Sequence, residues 1–249
     1  MVDKFIVGTY KVCPFCGYAF RIGAQERLQQ LGGIFVEWNS KIKLKETFNS
    51  TKEYEEKLKS SRKRLTMNDS IITGEITFES NLKVAVGIFD YRFIMGSIGI
   101  VIGEKIKLLF EKAGQERLPV ILFCASGGAR MQESPFSLIQ MEKMSYYAKI
   151  FKKQGNCLIT VMCDPCMGGM LASIASIGNF CISEPKAQIG FAGLKVIEQT
   201  VGKKLDLNDQ LAENVYRNGF LDDIVKREDI TNWIERVSTM LKIGGTSNE

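Results

Sequence analysis

The stretch Cys124-Ala125-Ser126-Gly127-Gly128-Ala129-Arg130-Met131-Gln132-Glu133 organises the reading of this chain. A nearly all-apolar run, Leu118 to Phe123, leads into it, and an amphipathic segment from Ser134 to Gln154 follows. The first reads as a buried strand and the second as a helix, so the glycine pair is expected where a strand turns into a helix. Adjacent glycines carry no Cβ to hold a ligand off the backbone, and the start of the following helix adds partial positive charge. Such a turn suits an oxygen that gains negative charge.

The same plan recurs downstream. Strand Leu158 to Met162 runs into Asp164-Pro165-Cys166-Met167-Gly168-Gly169 and a short apolar helix, Met170 to Ile177. Strand Phe180 to Ser183 then leads to Glu184-Pro185-Lys186-Ala187-Gln188-Ile189-Gly190-Phe191-Ala192-Gly193. Repeated strand, glycine turn and helix imply an α/β domain whose strands present their C-terminal ends to one face, with both glycine turns lining one cleft. Cys163, Asp164 and Cys166 read as packing residues at a strand end rather than metal ligands.

Upstream, Ile76–Phe78, Leu82–Val86 and Ile88–Phe89 are β-rich around a Glu79-Ser80-Asn81 hairpin turn. Met95-Gly96-Ser97-Ile98-Gly99 opens a helix over Ile102–Ala113, its glycines serving either packing or close approach to a substrate. Arg21 to Leu31 has helical spacing ended by Gly32-Gly33, and the charged stretch 37–65, with a helix over Lys52–Arg64, reads as a mobile surface arm. At the other end, helices are expected over Val196–Thr200, Gln210–Asn218 and Glu228–Leu241, with a short strand over Phe220–Val225. The expected layout is an N-terminal appendage (1–70), a main domain (71–243) and a disordered tail (244–249).

Composition narrows the chemistry. A 249-residue chain that is 45% hydrophobic can bury a full core. Its longest apolar runs fall well short of the roughly 20 residues that span a bilayer, and nothing at its start reads as a secretory signal, so a cytoplasmic protein without membrane contact is expected. The net charge of +5 is modest, and the cluster Lys57, Lys59, Arg62, Lys63 and Arg64 reads as a solvated helix face before it reads as a polyanion site. Seven cysteines, mostly in apolar or glycine-rich surroundings, suggest reduced thiols rather than a disulfide framework. There is no histidine, which removes Ser-His-Asp, Cys-His and any imidazole acid–base step within this polypeptide. Cys13-Pro14-Phe15-Cys16 is a knuckle that would supply half of a zinc site; with no second close pair and no histidine, only a half-site is expected and zinc is not.

Several motifs together resemble the acetyl-CoA carboxylase carboxyltransferase β-subunit family of bacteria and plastids. They are Cys13-Pro14-x-Cys16-Gly17, Arg21-Ile22-x-Ala24-x-Glu26-Arg27-Leu28, Gly103-Glu104-Lys105, Ala125 through Glu133, Asp164-Pro165 with Gly168-Gly169, and Ile189 through Gly193 with Val196 through Thr200. The resemblance covers nearly the whole chain. It implies a crotonase-like (ClpP/crotonase) α/β fold, a β-β-α spiral. It further implies transfer of a carboxyl group from carboxybiotin, borne on a biotin carboxyl carrier protein, to acetyl-CoA, giving malonyl-CoA. An α subunit is the implied partner, in an α2β2 assembly.

By the same resemblance Gly127 and Gly128 would donate N–H groups to the oxygen of biotin or of the acyl thioester, each donor of this type being worth about 3 to 4 kcal/mol. Gly168 and Gly169 would shape the same cleft. Ser126, Ala129, Arg130, Phe191, Ala192 and Gly193 would contact substrate. The chain departs from the family in three places: this sequence begins after the usual first cysteine pair of a four-cysteine ribbon, Cys166-Met167 replaces small hydroxyl residues, and Leu194 replaces a common proline. These departures keep a biotin-independent acyl-thioester decarboxylase or hydrolase of the same fold open as an alternative. A fold-retaining nucleic-acid binder that uses the basic residues near Arg62 is a third, less favoured reading.

Overall fold

The computed structural model describes residues 10–45, 48, 50–202 and 207–241. The expected tail at 244–249 lies outside the described residues. Among these, eight strands form one sheet: β1 (Ile34–Trp38), β2 (Ile71–Thr77), β3 (Lys83–Phe89), β4 (Val120–Ser126), β5 (Leu158–Met167), β6 (Phe180–Ser183), β7 (Ile189–Gly190) and β8 (Asp223–Ile224). The order is β1-β2-β3-β4-β5-β6-β8, with β7 paired to the end of β5. β1, β2 and β3 are antiparallel neighbours; from β3 to β8 every pairing is parallel. Parallel strands covered on both faces read as continuous apolar runs, and all seven residues of β4 are buried.

The long helices are α3 (Ile100–Gln115) and α4 (Pro135–Lys153), which pack on one another and follow β3 and β4 in turn. Phe110 of α3 and Phe151 of α4 meet with ring centroids 5.1 Å apart. Shorter helices are α1 (Ala24–Leu31), α2 (Lys52–Leu65), α5 (Gly169–Ser173), α6 (Leu194–Val201), α7 (Ala212–Arg217) and α8 (Ile230–Met240). The units β2-β3-α3, β4-α4 and β5-α5-β6 therefore set the C-terminal ends of β3, β4 and β5 along one edge of the sheet. That edge holds both glycine turns.

Three expectations change. Within the stretch read as a mobile arm, α2 is packed down: Tyr54, Leu58 and Ser61, spaced i, i+4, i+7, are all buried, and Thr51 caps the helix by accepting the Tyr54 N–H (3.3 Å). Across the start of that stretch β1 forms, although its exposed Ile34 and Val36 give it no clean amphipathic signature; its pairing with β2 decides its conformation. The helix expected over Met170–Ile177 is broken, α5 ending at Ser173 before a 3-10 turn at Ala175–Ile177, and the strand expected over Phe220–Val225 shrinks to Asp223–Ile224.

The register between β4 and β5 matters most for the site. Cys124 pairs with Met162, and the next pairing is Ser126 with Cys166, so β5 contains two more residues than β4 over this interval. The extra length falls at Cys163-Asp164-Pro165. Beyond it β5 exchanges β6 for β7 as its neighbour. A bulge of this kind re-aims a strand end, and here it brings the second glycine turn up against the first.

Candidate active site: two glycine turns at the ends of β4 and β5

The first turn is held from three sides. Gly127 donates its N–H to the Met95 carbonyl (2.8 Å), and Gly128, at φ +110°, donates its N–H to Ser126 Oγ (3.0 Å). The Gly128 carbonyl accepts from Ile98 N–H (2.8 Å), and Arg130 N–H donates to the Ile98 carbonyl (2.8 Å). Both glycine N–H groups expected to meet an oxyanion are therefore engaged within the chain. Ala129 N–H, between them and Arg130, meets no acceptor among the described residues.

The second turn abuts the first. Gly168, at φ +55°, donates its N–H to the Gly190 carbonyl (2.9 Å), and Gly169 opens α5 with its own N–H unpaired among the described residues. A Cβ placed on Gly128 would lie 2.9 Å from the Gly169 nitrogen and 3.3 Å from the Met167 carbonyl oxygen. Conversely, a Cβ on Gly169 would lie 3.4 Å from the Ala129 nitrogen. The two unpaired N–H groups therefore sit on neighbouring backbones, with the Met141 thioether packed against Gly169. Backbone donors aimed at one point are what an oxyanion site requires.

The other expected residues divide into two groups. Phe191 is exposed, and its carbonyl would stand 3.5 Å from a Cβ on Gly168; the Ala192 carbonyl accepts from Gln210 Nε2 (2.7 Å), and Gly193 faces open space. These three border the second turn. Ser126 and Arg130 lie behind the first turn, each fully buried. Arg130 thus has no surface to offer a substrate, which corrects its expected role. Its Nη1 and Nη2 donate to Asp69 Oδ2 (3.0 Å) and Oδ1 (2.5 Å), its Nε to Ser97 Oγ (3.0 Å) and its Nη2 also to the Ser97 carbonyl (2.8 Å). Burial alone would lower the guanidinium pKa, but Asp69 more than offsets it and the group stays charged.

Glu133 completes the clamp. Its Oε1 accepts from Arg130 Nη1 (3.3 Å) and from the Tyr54 hydroxyl of α2, while its Oε2 accepts Ile100 N–H (2.5 Å), capping the start of α3. A carboxylate there is favoured by the dipole of a 16-residue helix. A Cβ on Gly99 would strike this carboxylate at 2.5 Å, and one on Gly96 would strike the Ala125 carbonyl oxygen at 2.2 Å. Of the two readings of Met95–Gly99, close packing is the one these contacts support. Ile94 and Met95 adopt φ +44° and +56°, a region that β-branched residues rarely occupy, so the loop supplying the Met95 carbonyl is strained in place. The spacing of residues along the chain gave no signal for Asp69, Ser97 or Tyr54; Glu133 lay in the motif, but its partners are remote in sequence.

Electrostatically the junction is bare. Gly127, Gly128, Ala129, Gly168, Gly169, Met95, Met141 and Phe191 carry no ionisable side chain. Asp164 is engaged elsewhere, accepting from Arg21 Nε (3.0 Å) and the Tyr18 hydroxyl. Burial and that carboxylate push the Tyr18 phenol up to about 12. Burial also pushes the Cys163 thiol up to about 12 and keeps Cys124 and Cys166 protonated. At the knuckle, N–H groups of Cys16 and Phe15 lower the Cys13 thiol pKa, while Cys16 is exposed. Among the described residues no three or more His, Cys, Asp or Glu gather where they could hold a metal. Two thiols alone do not fit a closed tetrahedral zinc site.

Residues 35–243 match the carboxyl transferase domain family. The chain is 47% identical over 237 residues to the acetyl-coenzyme A carboxylase carboxyl transferase subunit beta of Ligilactobacillus salivarius, covering 94% of this chain and 83% of that protein. It is 46% identical to the same subunit of Oenococcus oeni, covering 94% and 80%. Among solved structures, transcarboxylase 12S with methylmalonyl-coenzyme A bound superposes with a TM-score of 0.71 at 25% identity; the match covers 87% of this chain and 40% of that longer one. A Pseudomonas malonate decarboxylase heterodimer shares the fold at TM-score 0.67 and 19% identity, covering 90% of this chain and 88% of that one. The fold is the expected crotonase-like spiral, and the chain belongs to the acetyl-CoA carboxylase carboxyl transferase β-subunit family.

Proposed function

We propose that this chain is the β half of a carboxyltransferase that forms malonyl-CoA from acetyl-CoA and carboxybiotin, with an α subunit as its partner. The observation that carries the reading is the junction of the two glycine turns. There the Ala129 and Gly169 backbones abut, their N–H groups meet no acceptor among the described residues, and the residues of the two turns carry no ionisable side chain. Carboxybiotin, delivered by its carrier protein, releases CO2 and leaves the biotin anion. That anion takes a proton from the thioester α-carbon, and the resulting enolate attacks CO2 to give malonyl-CoA. Biotin is thereby its own base, so a chain without histidine needs only to hold oxygens that gain charge.

The junction holds one such oxygen, the thioester's or the ureido oxygen of biotin, and the other falls to the α subunit. Losing one preorganised donor of this type typically costs a factor of about 10² to 10³ in turnover. Partner coverage is supported by the exposed apolar side chains beside the first turn, Met131, Phe136, Leu138 and Ile139, a composition suited to burial in an interface. An α2β2 complex in the cytoplasm follows from this reading; among the described residues no helix is long and apolar enough to cross a membrane.

Reconstitution tests it. Purified chain, a matching α subunit, carboxylated carrier and acetyl-CoA should yield malonyl-CoA, and an otherwise competent mixture without turnover would overturn the reading. Decarboxylation of carboxybiotin measured without acetyl-CoA separates the two oxygens. A defect in an Ala129 or Gly169 variant that vanishes in this partial reaction places the thioester oxygen at the junction; a defect that persists places biotin there.

A further inference from the structure

A polar cavity lies away from the glycine turns. It has a volume of about 440 Å³ and is bounded by the C-terminal end of α2, the segment after β1, the start of β2 and one face of α3. Three cations line it, Lys41, Arg62 and Lys105, against one carboxylate, Glu37. None of the three cations forms an ion pair among the described residues.

Two of these cations are held in place by backbone contacts that leave donors over. Lys105 is only 2% exposed, yet its ammonium group, with three N–H bonds, donates once within the chain, to the Ile71 carbonyl (3.0 Å). Arg62 Nε donates to the Asn68 carbonyl (3.0 Å), while its Nη2 is buried and meets no acceptor among the described residues. Asn68 is itself fixed, its amide donating to the Ser40 carbonyl (2.6 Å) next to Lys41. Buried donors without partners are rare in folded proteins and call for an explanation such as a bound group. Stabilisation of the α2 C-terminus by cations accounts for exposed Lys63 and Arg64; it does not account for an ammonium buried on a different helix, or for a guanidinium nitrogen buried in the cavity wall.

We propose that this cavity is a binding site for a phosphate group, held by Arg62, Lys105 and Lys41. A tetrahedral dianion with several acceptor oxygens would satisfy the Arg62 Nη2 and the remaining Lys105 donors together, and would offset the surplus positive charge. Two sources share that chemistry: a free phosphate or phosphate monoester, and the 3′-phosphate of coenzyme A. The second source rests on the acyl-CoA reading given above; the first does not.

The test is binding by the full chain, read by its thermal unfolding midpoint at constant ionic strength. Inorganic phosphate, titrated against chloride, should raise the midpoint saturably, and Arg62→Gln should weaken the apparent affinity about tenfold. Lys41→Gln, at an exposed position, should weaken it severalfold and guards against a folding defect in the first variant. CoA and dephospho-CoA then separate the sources: CoA binding tenfold tighter than dephospho-CoA, with the difference lost in Lys41→Gln and Arg62→Gln, assigns the site to the cofactor tail, and equal binding of the two with phosphate still saturable assigns it to a free phosphate group. No saturable phosphate effect, or one that both variants retain unchanged, overturns the site. Because binding is read without carboxyl transfer, failure here is distinct from failure of the proposed reaction.

Discussion

Gly128 and Gly169 are so close that a single methyl group on Gly128 would stand 2.9 Å from the Gly169 nitrogen. The contact joins the turns that follow β4 and β5, whose register is offset by the bulge at Cys163-Asp164-Pro165, and it leaves no space for a side chain on Gly128. Gly128 also sits at φ +110°, where an L residue is strained. Gly128→Ala should therefore lower carboxyl transfer by about 100-fold or more. Gly169→Ala should be milder, because its new methyl meets chiefly Met141 Sδ, the end of a flexible side chain, and only ordinary contact at Ala129. Steady-state kinetics of the reconstituted complex would decide the order, and a reversed order would refute this account of the junction.

Asp69 should matter to stability as much as any residue of the core. Both it and Arg130 are fully buried, and Asp69→Asn leaves the charged guanidinium with only the more distant Glu133 carboxylate opposite it. Breaking a buried pair from one side typically costs about 3 to 5 kcal/mol. Urea unfolding should show that loss in the midpoint with little change in slope.

Tyr54→Phe removes one hydroxyl between α2 and the clamp, where it donates to Glu133 and accepts from Arg130. Hydrogen bonds to charged groups contribute about 1.5 to 3 kcal/mol, so the variant should fold but with a lower midpoint. If the clamp positions the first turn, kcat should fall while KM for the acyl thioester changes little. A variant with wild-type stability would show that α2 does not brace the site.

Thiol reactivity should follow burial. Burial holds Cys124, Cys163 and Cys166 as protonated thiols, whereas the Cys13 thiol pKa is lowered by neighbouring N–H groups and Cys16 is exposed. Iodoacetamide near pH 8 should alkylate Cys13 and Cys16 first, with peptide mass mapping finding the five buried cysteines, Cys124, Cys157, Cys163, Cys166 and Cys181, protected until denaturant is added.

Acid stability should depend on Glu184. Burial would raise its pKa, but Arg27 and Arg227 reverse the effect, so the folded value lies below the ordinary 4.5. Below 4.5 the unfolded chain takes up the proton first, so the stabilisation is complete above that pH and is lost as pH falls through the folded value. Glu184→Gln should lower the unfolding midpoint at pH 7 and flatten the acid limb of the stability profile; an unchanged limb would show that other carboxylates control it.

Much of this was legible along the chain. Both glycine turns, their flanking strands and helices, and the loss of imidazole chemistry are local properties: apolar runs, glycine pairs and residue counts carry them without reference to distant partners. The hydrogen-bond assignments are not local. Gly127 N–H is taken by Met95, Arg130 by Asp69 and Ser97, and Glu133 by Tyr54 and Ile100, each partner brought in from another element of the fold. For that reason Gly127 and Gly128 could be recognised as the turn while the internal partners of their N–H groups could not, and Arg130 could be singled out but not seen to be buried. Which N–H groups stay free depends on which carbonyls and hydroxyls the tertiary packing brings within about 3 Å. The sequence by itself determined where the two glycine turns fall and that no histidine accompanies them, and only the folded chain decided that Gly127 and Gly128 spend their N–H groups internally while those of Ala129 and Gly169 meet no acceptor among the described residues.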